Sequence, residues 1–191
     1  MKKRRIRRKK YLKNFLTFTL IIFICSLILS FCTKNGHRRD ADSKIDLEYL
    51  KKHEEIAQNI GKKYGLFPSV VLAQSALESN FGKSRLATDF NNYFGIKSNG
   101  DGDEIKLETT EFVDGEKIVA YESFRVYKNP LESFDHYGRL ISEAKRYKDV
   151  LDAKTYDGAA VALQKCGYAT DPDYASKIIN IIEIYELTRL D

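Results

Sequence analysis

The sequence predicts an α+β domain, mainly α, with one inserted β-hairpin and a single transmembrane helix ahead of it. Three observations carry this. An uncharged run occupies residues 15–32, apolar residues recur at three- and four-residue spacing in several later segments, and two β-prone runs flank Asp114-Gly115.

The formal net charge of +5 is concentrated at one end. Residues 1–14 hold nine basic residues, from Lys2 to Lys13, and no acidic one. Removing them from 32 basic and 27 acidic residues leaves 23 against 27, a remainder of −4. The rest of the chain is mildly acidic, which argues against a nucleic-acid partner.

Phe15 to Cys32 then runs for 18 residues without a charge. As a helix it rises roughly 27 Å, close to the hydrocarbon thickness of a bilayer. Basic residues stay on the cytoplasmic side, so residues 1–14 read as a cytoplasmic segment, 15–32 as an anchor in the cytoplasmic membrane, and the remainder as extracytoplasmic. The run ends Leu29-Ser30-Phe31-Cys32. Bulky Phe31 stands where signal cleavage or lipidation of Cys32 calls for a small residue, so an uncleaved anchor is expected over a cleaved or lipidated form. Cys25 and Cys32 lie in the run, leaving Cys166 alone in the outer part, where no disulfide can form. An exported domain of roughly 150 residues held by its core alone suits a Gram-positive surface.

Residues 33–43 are polar and aperiodic, a linker. From Lys44, Tyr49, Leu50, Ile56, Ala57, Ile60 and Tyr64 mark a helix that Gly65 stops. Pro68 opens a second helix through Val70, Val71, Ala73, Ala76 and Leu77 to Ser79, apolar on most sides and so expected at the centre. Residues 80–103, dense in Asn, Gly and Asp, read as loop. Ile105–Phe112 and Lys117–Val126 form the hairpin. Asn129-Pro130-Leu131-Glu132 caps a helix carrying Leu131, Phe134, Tyr137, Ile141 and Ala144. Thr155 to Lys165 is a short helix stopped by Gly167, and Asp171-Pro172 opens the last, with Tyr174, Ile178, Ile181, Ile182 and Tyr185 apolar. The single outer domain is 44–191, with no internal repeat.

Glu78 ends the apolar helix, with Phe81 three residues on and Gly82 turning the chain away. A carboxyl against an apolar wall is the requirement for a glycosidase acid, whose pKa must be raised. A solvated Glu at a helix end is the plainer reading of that residue taken by itself.

The words around it decide the matter. Ala76-Leu77-Glu78-Ser79-Asn80-Phe81-Gly82-Lys83-Ser84 resembles the catalytic motif of bacterial peptidoglycan N-acetylglucosaminidases, glycoside hydrolase family 73. Further resemblances follow in the family's order: Asn92 to Lys97, Thr109 to Phe112 with Asp114-Gly115, Phe124 to Tyr127, and Gly167 to Pro172. They span about residues 50–188. Lytic transglycosylases share the Glu-Ser step, but five ordered boxes are specific. The resemblance implies a lysozyme-like fold and an endo-β-N-acetylglucosaminidase acting on peptidoglycan strands, cutting from N-acetylglucosamine to N-acetylmuramic acid with Glu78 as general acid. Muramidase, lytic transglycosylase and a non-catalytic glycan-binding protein are the alternatives. Phe81 departs from the family's usual Trp and still supplies an aromatic wall.

Glu111, on the first strand, is the natural second carboxylate. It either activates water or leaves assistance to the substrate's acetamido group, and a cross-strand charge partner is the plain alternative. On a hairpin that closes over substrate, its distance from Glu78 is expected to exceed the inverting range in the sugar-free state. Tyr168 is a candidate sugar contact. Tyr93, Phe94, Tyr121, Phe124 and Phe81 are candidate stacking faces, and each also suits a core.

Other chemistries fail on residue counts. His53-Glu54-Glu55-Ile56-Ala57 lacks the second His of a zinc peptidase. Cys166 reads as an inert thiol with only His53 and His136 in the outer domain. Asn99 to Asp103 lacks the glycine of a calcium loop. No metal or cofactor is called for, and the sequence leaves protein partners open.

Overall fold

The computed structural model describes residues 43–191 except 101, 114 and 115, and their side chains except 109–120. The segments at 1–14 and 15–32 lie outside the described residues. Among the described residues no helix is long and apolar enough to cross a membrane.

Helix α1 covers 43–64, and positive-φ Gly65 ends it. Three residues later α2 (Pro68–Ser79) begins with its proline in the first turn. Val71, Leu72, Ala73 and Ala76 of α2 are fully buried. As expected of a helix apolar on most sides, α2 forms the centre, packed by α6 (Tyr156–Lys165), α7 (Tyr174–Ile184) and a 3-10 turn at Leu187–Leu190.

Two short helices emerge where periodicity was too brief to read. Helix α3 (Arg85–Phe90) lies inside the expected 80–103 loop, its N-cap Ser84 accepting from Ala87 N–H. A 3-10 turn, Lys145–Tyr147, leads into α5 (Lys148–Asp152). Six and five residues give too few turns for a periodic signal.

Strands β1 (Glu104–Val113) and β2 (Glu116–Arg125) pair antiparallel in continuous register, from Glu104 opposite Arg125 to Val113 opposite Glu116. The two-residue connection is the Asp-Gly step, the expected hairpin within one residue at each end. Helix α4 (Pro130–Glu143) is capped by Asn129, whose Oδ1 accepts from Glu132 N–H at 3.0 Å. The Glu132 carboxylate reaches back to Lys128 N–H, also at 3.0 Å, so the reciprocal bond falls one residue before the cap. At Gly138, a Cβ would lie 2.3 Å from the Tyr64 ring, so α4 meets α1 only because this residue has no side chain.

The architecture is mainly helical with one small two-stranded sheet, the α+β arrangement expected.

Candidate active site

The end of α2 delivers Glu78. Asn80, Phe81 and Gly82 all have positive φ, at 51°, 53° and 73°. Three successive left-handed residues stop the helix abruptly, and the cost at Phe81 is held by its surroundings. Phe81 N–H bonds Ala76 O at 2.7 Å, and the buried Ser79 hydroxyl accepts from Gly82 N–H at 2.8 Å while donating to Ser75 O at 2.6 Å. A Cβ at Gly82 would sit 2.8 Å from the Tyr49 ring. The Glu-Ser step therefore has two separate roles, with Ser79 tying the turn and Glu78 left for the cleft.

Glu78 is held from across the core. The Tyr174 hydroxyl, on α7, donates to Oε1 of Glu78 at 2.6 Å. Burial pushes the Glu78 carboxyl above the ordinary range, and the Tyr174 bond offsets part of that rise. Tyr168, in the turn after α6, and Tyr137 of α4 feel the Glu78 charge. Burial first, and that charge with it, drives the phenols of both upward. All three tyrosines are thus neutral hydrogen-bonding groups at physiological pH. Tyr168 donates to Phe94 O at 3.3 Å, and its ring stacks on Tyr174 at 5.9 Å.

The cleft in front of Glu78 encloses about 450 Å³. Glu78 is the one carboxylic residue among the described residues lining it, and Lys97, Arg125, His136, Arg146 and Tyr168 face it. Asn92 builds the floor. Its side chain bonds both the N–H and C=O of Ile96, at 3.0 and 2.9 Å, and reaches Arg125 O at 2.9 Å. Lys97 then pairs with Phe124, extending the hairpin base to the cleft.

A larger depression of about 930 Å³ lies between α1 and α4 and shares Arg125 and His136 with the cleft. Its Asp135 is paired with Lys63 at 2.6 Å. Burial raises that carboxyl, but the bonds from Lys63 and Tyr64 outweigh it and leave it below the ordinary range. The smaller cleft holds the carboxyl that burial raises rather than lowers, the direction a general acid needs, and that chemistry outweighs volume.

The structure sorts the remaining candidates. Tyr168 lines the cleft. The rings of Tyr93 and Phe94 are core, 7% and 2% exposed, with Phe94 stacked on Tyr137 at 4.1 Å. Phe94 reaches Tyr168 through its carbonyl, so neither ring is free to stack on a sugar, and Phe124 is likewise buried. Phe81 packs edge-on against Tyr49 and Tyr185 and is absent from the residues lining the cleft; Tyr174 and Tyr168 supply the aromatic surroundings of Glu78 instead. Tyr121 is 73% exposed on β2. Glu111 pairs with Ile118 across the hairpin, and its side chain, hence its distance from Glu78, lies outside the described side chains. His53 is buried in the core and bonded to Tyr49 O. Tyr174 is not among the sequence candidates, because its helical spacing marks only one more apolar position of the last helix.

The family model described as mannosyl-glycoprotein endo-beta-N-acetylglucosaminidase matches residues 54–187. Exo-glucosaminidase LytG of Bacillus subtilis (strain 168) is 36% identical over 202 residues, covering 100% of this chain and 70% of LytG. Peptidoglycan hydrolase FlgJ of Escherichia coli (strain K12) is 36% identical over 148 residues, 74% of this chain and 46% of FlgJ, so the chain spans about half of that relative. The catalytic domain of the autolysin Auto from Listeria monocytogenes superposes with a TM-score of 0.71 at 32% identity, covering 82% of this chain and 97% of that domain. With its ordered motifs, its fold and a cleft built around Glu78, the chain belongs to the glucosaminidase family, glycoside hydrolase family 73, and is a glycoside hydrolase.

Proposed function

We propose that this protein cleaves the β-1,4 bond from N-acetylglucosamine to N-acetylmuramic acid within peptidoglycan strands, with Glu78 as general acid. The observation that carries the reading is Glu78 itself, a carboxyl raised by burial at the wall of a cleft that Tyr168 also lines. A carboxylic acid that stays protonated can deliver its proton to the leaving oxygen as positive charge develops on the sugar. Neutral Tyr168 offers a hydroxyl to sugar or intermediate, and Lys97, Arg125 and Arg146 suit a polymer whose muramyl units carry carboxylates. Glu111, carried on β1, is the proposed second carboxylate.

The basic cluster at 1–14 and the apolar run at 15–32 support a tether to the cytoplasmic membrane, with the catalytic domain on its outer side. Proximity to the wall then comes from the tether.

Product analysis by mass spectrometry, on purified peptidoglycan digested by the full chain, tests the reading. New N-acetylglucosamine reducing ends, on internal fragments, are expected. Muramic-acid reducing ends indicate a muramidase, and anhydromuramic ends a lytic transglycosylase. Either outcome overturns the proposed bond.

A further inference from the structure

The Tyr174–Glu78 bond is the outer end of a longer chain. Gln74 lies one turn before Glu78 on the same face of α2 and is fully buried. Its Nε2 donates to the Tyr174 hydroxyl oxygen at 2.9 Å, and its Oε1 accepts from the hydroxyl of Tyr137, itself 1% exposed. The chain therefore runs Tyr137, Gln74, Tyr174, Glu78 across α4, α2 and α7, each group donating to the next. A phenol has one proton to give, and an amide has two chemically different ends. The proton of Tyr137 selects the amide oxygen, which turns the amide nitrogen toward Tyr174. With its oxygen already accepting, Tyr174 aims its single proton at Glu78.

We infer that Gln74 is a positioning residue that sets the direction of the Tyr174 proton, keeping Oε1 of Glu78 an acceptor and leaving the transferable proton on Oε2. Gln74 is absent from the residues lining the cleft and acts through Tyr174. Turned over, the amide would take the Tyr174 proton for itself. The Tyr174 oxygen would then accept from protonated Glu78 and hold the acid's proton in a buried bond. A neutral amide confers this direction without adding a charge to the interior, where a carboxylate would be costly.

The inference rests on Glu78 being the acid, and its consequence is a titration. A donor aimed at the carboxylate favours the charged form, so breaking the chain raises the pKa of Glu78 further above normal. The groups facing Glu78 are Tyr174 from α7, Tyr168 from the turn after α6 and Tyr137 from α4, with Lys97, Arg125, His136 and Arg146 across the cleft. The basic residues of the cleft and Tyr168 are the same in every variant below, so differences report the chain alone.

The experiment titrates the Glu78 carboxyl by carbon-13 NMR in the full-length protein, with its signal identified by loss in Glu78→Gln. The same variants give pH–rate profiles on peptidoglycan. Tyr174→Phe is expected to raise the Glu78 titration by roughly one to two pH units, the equivalent of one hydrogen bond to a charge. Gln74→Met and Tyr137→Phe are each expected to raise it by at least about half a pH unit. In the Tyr174→Phe background Gln74→Met should add nothing, because the link it acts through is gone. The alkaline limb of kcat should move in parallel. An unchanged or lowered titration in folded Gln74→Met and Tyr137→Phe, or additive shifts, overturns the inference. Should Gln74→Met fail to fold, Tyr137→Phe, which removes one hydroxyl, decides alone. The NMR titration needs no turnover, so a protein that leaves peptidoglycan uncut refutes the proposed function while the titration still judges the chain.

Discussion

Asp191 caps α2 from 122 residues away, its Oδ1 accepting from Ser69 N–H at 2.9 Å and its Oδ2 from the Ser69 hydroxyl at 2.7 Å. Phe67, at the cap position itself, has no side-chain oxygen to offer. The helix that carries Glu78 therefore takes its cap, and a negative charge at its N-terminus, from a residue distant in the chain but packed against it. Asp191→Ala is expected to cost about 1 kcal/mol, a fall of roughly 2–5 °C in thermal midpoint, with Asp191→Asn recovering much of it. Equal midpoints for Asp191→Ala and the parent would show that the cap adds nothing.

Activity and stability both depend on the proton of Glu78. Activity needs its proton, so Glu78→Gln, close to isosteric and still able to accept from Tyr174, is expected to keep the fold and lose at least about 100-fold in turnover. Parent-like lysis by the folded variant would remove Glu78 from the mechanism.

Stability moves the same way with pH. The folded pKa of Glu78 lies above its unfolded value, chiefly through burial. Below the ordinary glutamate value of about 4.3 both states hold the proton and burial of the carboxyl carries no charge penalty. As pH rises through the raised folded pKa, that stability is lost. The midpoint of Glu78→Gln relative to the parent should therefore climb between acidic and mildly alkaline pH. A difference independent of pH would mean that Glu78 is not buried as a titrating group.

Much of the fold is legible because local chemistry and global position agree. Pro68, Asn129-Pro130 and Asp114-Gly115 each mark a boundary that the structure keeps within a residue or two. Helix α3 is hidden because six residues between Ser84 and Asn91 sit among turn formers, and its Ser cap is a common loop residue. The site divides similarly. Glu78 and Tyr168 stand inside recognisable words. Tyr174 does not betray itself, since helical spacing places its ring in the core and says nothing of the hydroxyl at its tip. Tyr93 and Phe94 err in the other direction, because a motif aromatic suggests a sugar face while Asn92 turns the backbone, not the rings, toward the cleft.

The tether makes a separable prediction. The nine cations before an uncharged run, with Phe31 ahead of Cys32, favour an uncleaved anchor. The mature chain is expected to sediment with membranes and to keep its basic segment on amino-terminal sequencing. A mature sequence beginning after residue 30, or release into the medium, would contradict it.

Glu111 offers the sharpest question about mechanism. It sits on β1 opposite Ile118, on an element distinct from the helix that holds Glu78, so the two carboxylates are positioned independently. Inverting hydrolysis separates its two carboxyl groups by roughly 6.5 to 9.5 Å, leaving room for a water, whereas a covalent retaining route needs about 5 to 5.5 Å. Burial raises the Glu78 carboxyl at one wall, and a base must work in its ionised form, which suits a second carboxylate on a different element. Glu111 is therefore expected to act as the base, and the first product should appear with inverted anomeric configuration by NMR during early turnover. Glu111→Gln should then lower kcat by about 100-fold or more with KM little changed, because a base contributes in the transition state. Retention of configuration would assign assistance to the substrate's acetamido group and reduce Glu111 to orienting it. Full activity in Glu111→Gln would leave the residue a cross-strand partner within the hairpin, with Glu78 the only acidic group in the chemistry.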